Sequence, residues 1–423
     1  MRRHRPRCAA RRHSPGFDLN RLWDALPGWA QVRTALASPR FAILVVVACV
    51  AAGMGMVWSI LAVYATTLGA SAAMVGLLIA AFGGARLVVN LPAGFASEKF
   101  GRHPVMLIGL GLLALASFVA TRTTSFPALI LCLLGQGVGC SMLITAALSA
   151  LGDISTPESR VRDMAAYQGA SSIGISIGPG IGGLSAAAWG YSAPFLLQGI
   201  FSVLAIVMLI LTAPKRTASS GSGSPPVGRP KLAFDRKLIG GLVLLTYGVF
   251  FARIAANWVL LPLVAQTLGM SVGEIGMLLT AGAIANLCTL PIANLATGRF
   301  GRLATIVTAS AVTVVSLLLL ADVHSTIVCW IVACLLSVSS GLAMPILSAY
   351  AIDAAPPGAV GAAMGTLRMV TDLGIVSGPV IAGLIVDQLG LGYAGGLWFT
   401  GLVLVISTVV FWIAVHKRRR PST

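Results

Sequence analysis

The sequence predicts an all-α integral membrane protein with twelve transmembrane helices in two six-helix halves. Of its 423 residues, 57% are hydrophobic and only 10% are charged, whereas about a quarter of an ordinary soluble domain is charged. Twelve apolar stretches are each long enough for a helix to cross a hydrocarbon core, which takes about 20 residues. The sequence also resembles itself at an offset of 200 residues, which indicates an internal duplication.

Each predicted span is apolar on all its faces. The first reads FAILVVVACVAAGMGMVWSILAVYA, without the alternation of apolar and polar residues that the strands of a membrane barrel show. In chain order the predicted spans are residues 41–64, 73–97, 103–121, 126–151, 162–188, 192–213, 237–265, 273–297, 303–321, 326–352, 361–386 and 393–416.

The basic residues lie mainly on one side of the predicted membrane. With the N-terminus inside, 25 of the 29 Lys and Arg residues are cytoplasmic: nine precede the first span, two lie in each of three loops, six in the central linker and four at the C-terminus. This is the positive-inside asymmetry of membrane proteins. We therefore expect a multi-pass protein of the cell (plasma) membrane with both termini in the cytoplasm. The net charge of +17 then indicates contact with anionic lipids at the cytoplasmic face and no nucleic-acid partner.

The spans and charge clusters divide the chain into five parts. A basic N-terminal segment, 1–40, precedes a six-helix bundle at 41–213, and a second bundle at 237–416 precedes a basic tail at 417–423. The Ser, Gly and Pro content of 214–236 is typical of a flexible linker. Segment 1–40 lacks the apolar core of a secretory signal, and its Arg-rich start leaves an organelle transit peptide as an alternative.

The duplication relates the two bundles residue by residue. ATTLGASAAMVGLLIAA aligns with AQTLGMSVGEIGMLLTA, Trp58 aligns with Trp258, and Asp153 aligns with Asp353. Because six spans return the chain to its starting side, the halves are expected to be parallel repeats about an axis along the membrane normal. A substrate site between the halves, near the midplane, is typical of that arrangement.

The loop after the second span reads GFASEKFGRH, which resembles the cytoplasmic-loop signature Gly-x-x-x-Asp-Arg-x-Gly-Arg-Arg of major facilitator transporters. Gly94, Gly101 and Arg102 match, and Glu98 and Lys99 replace Asp and Arg conservatively. The resemblance covers about residues 40–416 and implies the major facilitator fold. It also implies that Glu98 lies against the start of the eleventh helix, around 361–365, where the helix dipole favours a carboxylate.

The resemblance further implies a cytoplasmic gate of ion pairs. It pairs the loop arginine with an acid at the end of the fourth helix, and the duplication repeats this pair. The second loop has Gly298 in place of the acid, so we expect its latch to be the weaker one. Simple solvation of these loop charges is the alternative. The expected gate consists of Arg102 with Asp153 and, in the second copy, of Arg299, Gly301 and Arg302 with Asp353.

The fifth span contains GASSIGISIGPGIGG, an unusual density of poor helix formers for a membrane helix. Gly174, Gly178 and Gly182 recur every four residues, a stripe of small residues that lets a neighbouring backbone approach closely. Pro179 removes a backbone donor and bends the helix. Together with Gly183 they form GxxxGPxxGG, which looks like the helix-5 signature of major facilitator drug:proton antiporters. Helix packing common to any transporter of this superfamily is the alternative.

A second antiporter signature is incomplete. The fourth span reads LILCLLGQGVGCS, with Gln136 and Gly137 in place but Leu133 where the antiporter pattern has Arg. This departure weakens the expectation of proton coupling.

Polar residues at membrane depth are the candidates for the substrate or coupling site, because ionisable groups in hydrocarbon normally face a cavity or a partner. Three pairs are spaced i, i+4 and so share a helix face, and the last is the expected ion pair. Its aspartate is the only mid-span carboxylate and the candidate proton carrier, and the three arginines leave a formal +2 that an anionic or oxygen-bearing ligand would complete. The pairs are Arg86 with Asn90, Arg253 with Asn257, and Arg368 with Asp372; further candidates, each with a purely structural alternative, are Gln136, Tyr167, Gln168, Trp58 and Trp258.

The sequence therefore predicts a secondary transporter that acts as a monomer by alternating access. The helix-5 pattern favours proton-coupled efflux of a drug-like or metabolite small molecule. Two alternatives remain: an importer or facilitator of a small anionic solute, and a transporter-like ligand sensor without flux. We expect no catalytic residues, cofactor or metal, because no nucleophile, CxxC pair or carboxylate pair lies at membrane depth and no phosphate-binding loop is present.

Overall fold

The computed structural model describes residues 38–156, 159–212, 236–354, 360–388 and 390–419, and all regular secondary structure in these ranges is helical. We number the helices α1 to α12 and treat the three consecutive segments of α7 as one rod. Their bounds are α1 Pro39–Thr67, α2 Ala72–Phe100, α3 Arg102–Ala120, α4 Phe126–Ile154, α5 Arg160–Trp189, α6 Ser192–Leu211, α7 Arg236–Ala255 with Ala256–Leu260 and Leu261–Thr267, α8 Val272–Phe300, α9 Arg302–Ala321, α10 Thr326–Ala354, α11 Val360–Gln388 and α12 Gly392–Arg419. The predicted all-helical membrane fold in two halves is confirmed.

Most of the predicted terminal and linker segments lie outside the described residues. Of the N-terminal segment 1–40 only 38–40 are described, of the linker 214–236 only Arg236, and of the tail 417–423 only 417–419.

Eleven helices in the described ranges are long and apolar enough to cross a membrane. The exception is α5, although it is 30 residues long. Its glycines, serines and Pro179 dilute the isoleucines and lower its hydropathy. The bundle of described residues thus contains the expected twelve helices, and eleven of them are apolar enough to be identified as membrane spans.

Corresponding helices of the two halves begin with similar local chemistry. The side chain of Ser71 caps α2 by accepting from the Met74 amide. Its copy, Ser271, caps α8 and forms a full capping box with Glu274. These caps satisfy amide groups that have no partner within the helix.

The rod α7 contains a π-helical segment, Ala256–Leu260, that its counterpart α1 lacks. The Leu261 amide donates to the Ala256 carbonyl, five residues back. Pro262 follows at once, and a proline has no amide to donate and clashes with the carbonyl four residues earlier. At the matching position α1 has Ala62. The proline thus accounts for the wider turn.

The two halves meet along two seams, the α2–α11 seam and the α5–α8 seam. We call the face at which α1 begins and α12 ends the terminus face, and the opposite face, with the α1–α2 and α7–α8 turns, the far face. One apolar cluster near the far face combines residues of both halves, including Val57, Phe82, Ile254 and Ile375. Two other clusters, nearer the terminus face, each belong to a single half.

Candidate functional site

A cavity of about 470 Å³ lies between α5 of the first half and α7, α8 and α10 of the second. Its wall on α5 carries Gln168, Ser172 and Ser176, and its wall on α10 carries Ser337 and Ser340. Leu261 and Leu278 supply apolar surface. A mostly apolar wall with a few polar groups at fixed positions is typical of small-molecule sites, and the volume falls in their usual range of about 300–1,000 Å³.

The charged part of this cavity wall lies on α7, where the π segment begins. Arg253 lies just before the segment, and Asn257 and Trp258 lie within it; all three line the cavity. Arg253 is the only charged residue of the lining, and within the described residues its side chain forms no hydrogen bond or ion pair. The predicted pair Arg253 and Asn257 therefore shares one face, as its spacing indicated.

A second polar cluster joins the halves across the α2–α11 seam. Arg86 Nη2 lies 3.4 Å from Asp372 Oδ1, and Asn90 donates to Asp372 Oδ2 at 3.1 Å. Ser141 on α4 donates to Asn90 Oδ1 at 2.6 Å. The Asp372 side chain is 4% exposed and that of Arg86 12%. We call these four residues the seam network.

The expected ion pair between Arg368 and Asp372 is wrong. Asp372 points across the seam to Arg86 and Asn90, whereas Arg368 is exposed, one turn nearer the terminus face. The i, i+4 spacing places two residues on one helix face but does not fix the partner, because a buried carboxylate pairs with whatever cation the neighbouring helix presents. The charge of Arg368 still reaches Tyr167 and Cys140.

The remaining predicted candidates divide between the cavity and the packed interior. Gln168 and Trp258 line the cavity, whereas Gln136, Tyr167 and Trp58 do not. Gln136 is fully buried and neither atom of its amide group has a hydrogen-bond partner within the described residues. Trp58 and Trp258 contact each other across the halves, edge to face, with ring centroids 5.3 Å apart. The residues expected to form one central site are thus divided among the cavity, the seam network and the packed interior, and Arg368 is exposed.

The two expected gate pairs are present at the terminus face. Arg102 Nε lies 3.1 Å from Asp153 Oδ2, and Arg302 pairs with Asp353 in the second half. Each pair joins helices of the same half, so neither connects the two halves. Their role in closing this face stays a prediction, as does the weaker second latch.

The loop glycines that precede these arginines have a structural reason. Gly101 and Gly301 have φ of 94° and 81°, a region that side-chain-bearing residues rarely adopt. They allow the sharp turns from α2 to α3 and from α8 to α9.

The other residues of the loop motif lie at the terminus end of α2 and α8. Glu98 and Lys99 are exposed, and within the described residues Glu98 forms no hydrogen bond or ion pair. The side chains of residues 361–362, which are part of the expected target of Glu98, are not among those that the structure describes. The charges of Lys99 and Arg299 lie 5.4 and 5.6 Å from the ring centroids of Phe100 and Phe300. At Gly94, a Cβ would lie 3.9 Å from its nearest neighbour, Thr145.

The glycine stripe of α5 packs against α1. A Cβ at Gly174, Gly178 or Gly182 would lie 2.3–2.5 Å from backbone carbonyl oxygens of α1, too close to exist without movement. The helix continues through Pro179. On the other side of α5, a Cβ at Gly183 would lie 2.7 Å from the backbone of Gly276 on α8.

Sequence reasoning missed a contact at the far face. Asp387, near the end of α11, accepts from the amides of Ala72 and Ala73 at 3.2 and 2.8 Å, and so caps α2 of the other half. A carboxylate at a helix N-terminus is stabilised by free amides and by the dipole. The only signal in the sequence is an acid at the end of an apolar span.

Contacts between the halves concentrate toward the far face. Besides the Asp387 cap, Thr66 Oγ1 lies 3.3 Å from Gln266 Oε1, and the glycine contacts lie in the far-face parts of both seams. The contacts nearest the terminus face are the seam network and a hydrogen bond of 3.4 Å from Ser176 to the Ala283 carbonyl. A Cβ added at Gly365 on α11, which lies nearer the terminus face than Asp372, would meet no heavy atom within 4 Å. The halves are thus joined at the far face and separated toward the terminus face.

Two halves of membrane helices around a cavity that is closed at one face are typical of membrane transporters. The chain belongs to the Major Facilitator Superfamily, whose family description matches residues 43–252 and 243–423.

The relatives of this chain include drug-resistance proteins. Multidrug resistance protein 1 of Bacillus subtilis is 25% identical over 366 residues, covering 86% of this chain and 93% of that protein. Quinolone resistance protein NorA of Staphylococcus aureus is 29% identical over 171 residues, 40% of this chain and 44% of NorA. The predicted resemblance to the drug-antiporter branch is confirmed by these relatives.

A solved structure of similar fold is the bacterial homologue of the lysosomal transporter Spinster, in an inward-facing and occupied conformation. It has a TM-score of 0.73 at 15% identity and covers 94% of this chain and 99% of its own. This likeness concerns the fold.

Proposed function

We propose that this protein is a proton-coupled exporter of small molecules in the plasma membrane, with the terminus face in the cytoplasm. The excess of basic residues on that side and the names of the drug-resistance relatives support this direction. The proposal includes a monomer that acts without catalytic chemistry or a cofactor, and basic segments that contact anionic lipids.

The cavity supports alternating access as the transport mechanism. Contacts between the halves at the far face close the cavity on that side. On the other side, no contact between described residues of the two halves lies between the cavity and the terminus face. With the terminus face cytoplasmic, this is an inward-facing state that loads substrate from the cell. Rocking of the halves about the seams would break the Asp387 cap and release substrate outside.

The observation that carries proton coupling is the position of Asp372. It is the only acidic residue within the seam contacts at membrane depth in the described chain, and it bonds to Arg86 and Asn90 of the other half. Arg368 on its own helix, Cys140 on α4 and Tyr167 on α5 are the other titratable groups near this cluster. A proton on Asp372 would remove the ion pair between the halves while leaving a hydrogen bond to Asn90.

The energetic scale of this change fits a switch. Loss of one charge from a buried ion pair typically costs about 3–5 kcal/mol. Reversing a two-state population from 1:99 to 99:1 takes about 5.5 kcal/mol. If the ion pair is present only in the inward-facing state, protonation of this one carboxylate changes the balance between the two states by an amount comparable to what the transition takes.

Proton-driven flux in proteoliposomes tests this proposal. The anionic dye fluorescein and the cationic dye rhodamine 123 serve as probes, each with a pH gradient imposed across the vesicle membrane. We expect the wild type to transport at least one of the two dyes in the direction opposite to the proton gradient, and Asp372→Asn to lose this dependence. The control is Asp322→Asn, since Asp322 is 90% exposed in the α9–α10 loop.

Two results would contradict the proposal. If Asp372→Asn responds to the pH gradient as the wild type does, Asp372 does not couple protons to transport. If the wild type moves solute only down its own gradient, the protein is a facilitator, the alternative that Leu133 favours because the antiporter pattern has Arg there.

A further inference from the structure

The charge of Arg253 has no counterpart within the part of the chain that the structure describes. Arg86, the comparable arginine of the other half, pairs with Asp372. Arg253 faces a cavity with no acidic residue in its lining, and forms no ion pair in the described part of the chain. An uncompensated guanidinium at membrane depth is costly, and a guanidinium is too basic to lose its proton.

Every described acid of the second half is committed elsewhere. Glu274 belongs to the capping box of α8, Asp387 caps α2, and Asp372 belongs to the seam network. Asp353 pairs with Arg302 at the terminus face, and Asp322 lies beside His324 in an exposed loop. None of them reaches Arg253, and no described acid of the first half lines the cavity, so a bound ligand can supply the missing negative charge.

The groups around Arg253 are mostly hydrogen-bond donors or hydroxyls. Asn257 lies one turn further along α7, and Ser340 lines both the cavity and a small adjoining pocket that Arg253 also lines. Ser310, Thr313 and Ser339 complete that adjoining pocket. A planar guanidinium presents two parallel donors to a carboxylate, and the side-chain amide of Asn257 can donate to a remaining lone pair.

Only the second half carries the arginine and asparagine of this set. The positions that correspond to Arg253 and Asn257 are Gly53 and Val57 of α1. Gly53 instead contacts Gln198, and Val57 belongs to the apolar cluster shared by the halves. The first half therefore contributes α5 to the cavity but no cation, and a ligand has one preferred orientation within it.

We propose that the cavity is a binding site for small organic anions, with Arg253 as the group that binds the anionic end. Asn257 assists, and Trp258, Leu261 and Leu278 hold the apolar body. This inference rests on the proposed transport function and names the substrate class of that function. It adds a specificity-determining residue that is separate from the seam network.

Direct binding of two matched dyes tests the substrate class. Fluorescein and rhodamine 123 share a xanthene ring system, but the first is anionic and the second cationic. Fluorescence polarisation of each dye is measured with purified wild type and with Arg253→Ala, Arg253→Gln and Arg253→Lys. The control is Arg122→Ala, since Arg122 is exposed in the α3–α4 loop.

We expect fluorescein affinity to fall by roughly tenfold to a hundredfold in Arg253→Ala and Arg253→Gln, the range expected for a lost hydrogen bond to a charged group. Arg253→Lys keeps the positive charge but loses the two parallel donors of the guanidinium. Its fluorescein affinity is therefore expected to lie between those of these variants and the wild type. Rhodamine 123 binding is expected to be unchanged or tighter, and Arg122→Ala to match the wild type. Arg253→Gln retains a similar shape, so it reports on charge if Arg253→Ala fails to fold.

The inference is overturned if the wild type does not bind fluorescein, if the Arg253 variants bind it as the wild type does, or if both dyes lose affinity equally. If chloride displaces bound fluorescein, the site binds inorganic anions, and the inference is also overturned. Failure of the proposed function gives a different result: fluorescein binds in an Arg253-dependent manner, but neither dye is transported. Proton-driven rhodamine 123 transport without fluorescein binding would refute the anion site alone.

Discussion

Arg86 and Arg253 show how one residue type acquires two roles in a duplicated bundle. Arg86 lies against a carboxylate of the opposite half, with the Phe82 ring 5.8 Å from its guanidinium carbon. Arg253 faces a cavity lined by serines and asparagines. The first is compensated within the protein and links the halves, while the second is free to meet a ligand. The duplication copies neither, since the residues that correspond to them are Asn286 and Gly53.

The coupling of Arg86 to Asp372 can be measured through stability. We expect Arg86→Leu or Asp372→Leu alone to destabilise the protein by about 3–5 kcal/mol, because each leaves a buried charge without its partner. The double variant is expected to be close to wild type. Unfolding in detergent micelles, measured for all four proteins as a double-mutant cycle, checks this. Equal and additive losses in the double variant would mean that the two charges do not interact.

The partner of Asp372 could not be predicted from the sequence, whereas its importance could. A mid-span carboxylate is rare enough to be noticed in one sequence. Its partner depends on how α11 is rotated against α2, a contact between residues 286 positions apart. Local spacing favoured Arg368, one turn away, because sequence periodicity describes single helices and carries no information on the register between halves.

Individual helices were the most predictable elements. The first predicted span, 41–64, lies within Pro39–Thr67, and the predicted eleventh, 361–386, within Val360–Gln388. Apolar length and the serines and glycines at the turns fix such bounds. The π segment of α7 was not predicted, although Pro262 is a local signal for it, because a proline in a membrane helix is compatible with several backbone adjustments.

Glycines at the seams are expected to control which face is open. A Cβ at Gly76 would lie 2.3 Å from the Pro379 carbonyl oxygen, whereas a Cβ at Gly84, on the same helix, would meet nothing within 4 Å. Overpacking of this kind costs about 1–3 kcal/mol, which shifts a two-state population by roughly 5–150-fold. We expect Gly76→Ala to separate the halves at the far face and Gly84→Ala to have no such effect.

Spin labels at positions 66 and 266 would detect this separation. The native side chains of Thr66 and Gln266 touch at 3.3 Å, so the label distance reports directly on the far-face contact. A distance distribution for Gly76→Ala that coincides with those of Gly84→Ala and the wild type would show that the α2–α11 seam tolerates the methyl group.

For the molecule as a whole, the two faces are held by different kinds of interaction. The ion pairs Arg102–Asp153 and Arg302–Asp353 at the terminus face act within single halves. At the far face, Asp387 joins one half to the other. Neither of these two ion pairs has to break when the halves separate at the terminus face. At the far face, a helix cap and glycine packing resist the separation of the halves.

Removal of the Asp387 cap is expected to favour the outward-facing state. Loss of a capping side chain costs about 0.5–2 kcal/mol, so Asp387→Ala should raise the outward-facing population by roughly 2- to 30-fold. The measurement is labelling of Ser176→Cys, in a cysteine-free background, by a membrane-impermeant maleimide added at the far face. Gln388→Ala serves as the control, as Gln388 is the exposed neighbour of Asp387. Equal labelling rates in the two variants would contradict a latch at Asp387.

The contact between Trp58 and Trp258 has an optical consequence. Two indoles 5.3 Å apart and nearly perpendicular form a coupled chromophore whose near-ultraviolet circular dichroism differs from that of the separated rings. Because each indole belongs to a different half, the coupling exists only while the halves touch, and the proposed alternating-access cycle would switch it off and on. The protein therefore carries an intrinsic, label-free reporter of its own conformational cycle, which time-resolved spectroscopy can read in an unmodified chain.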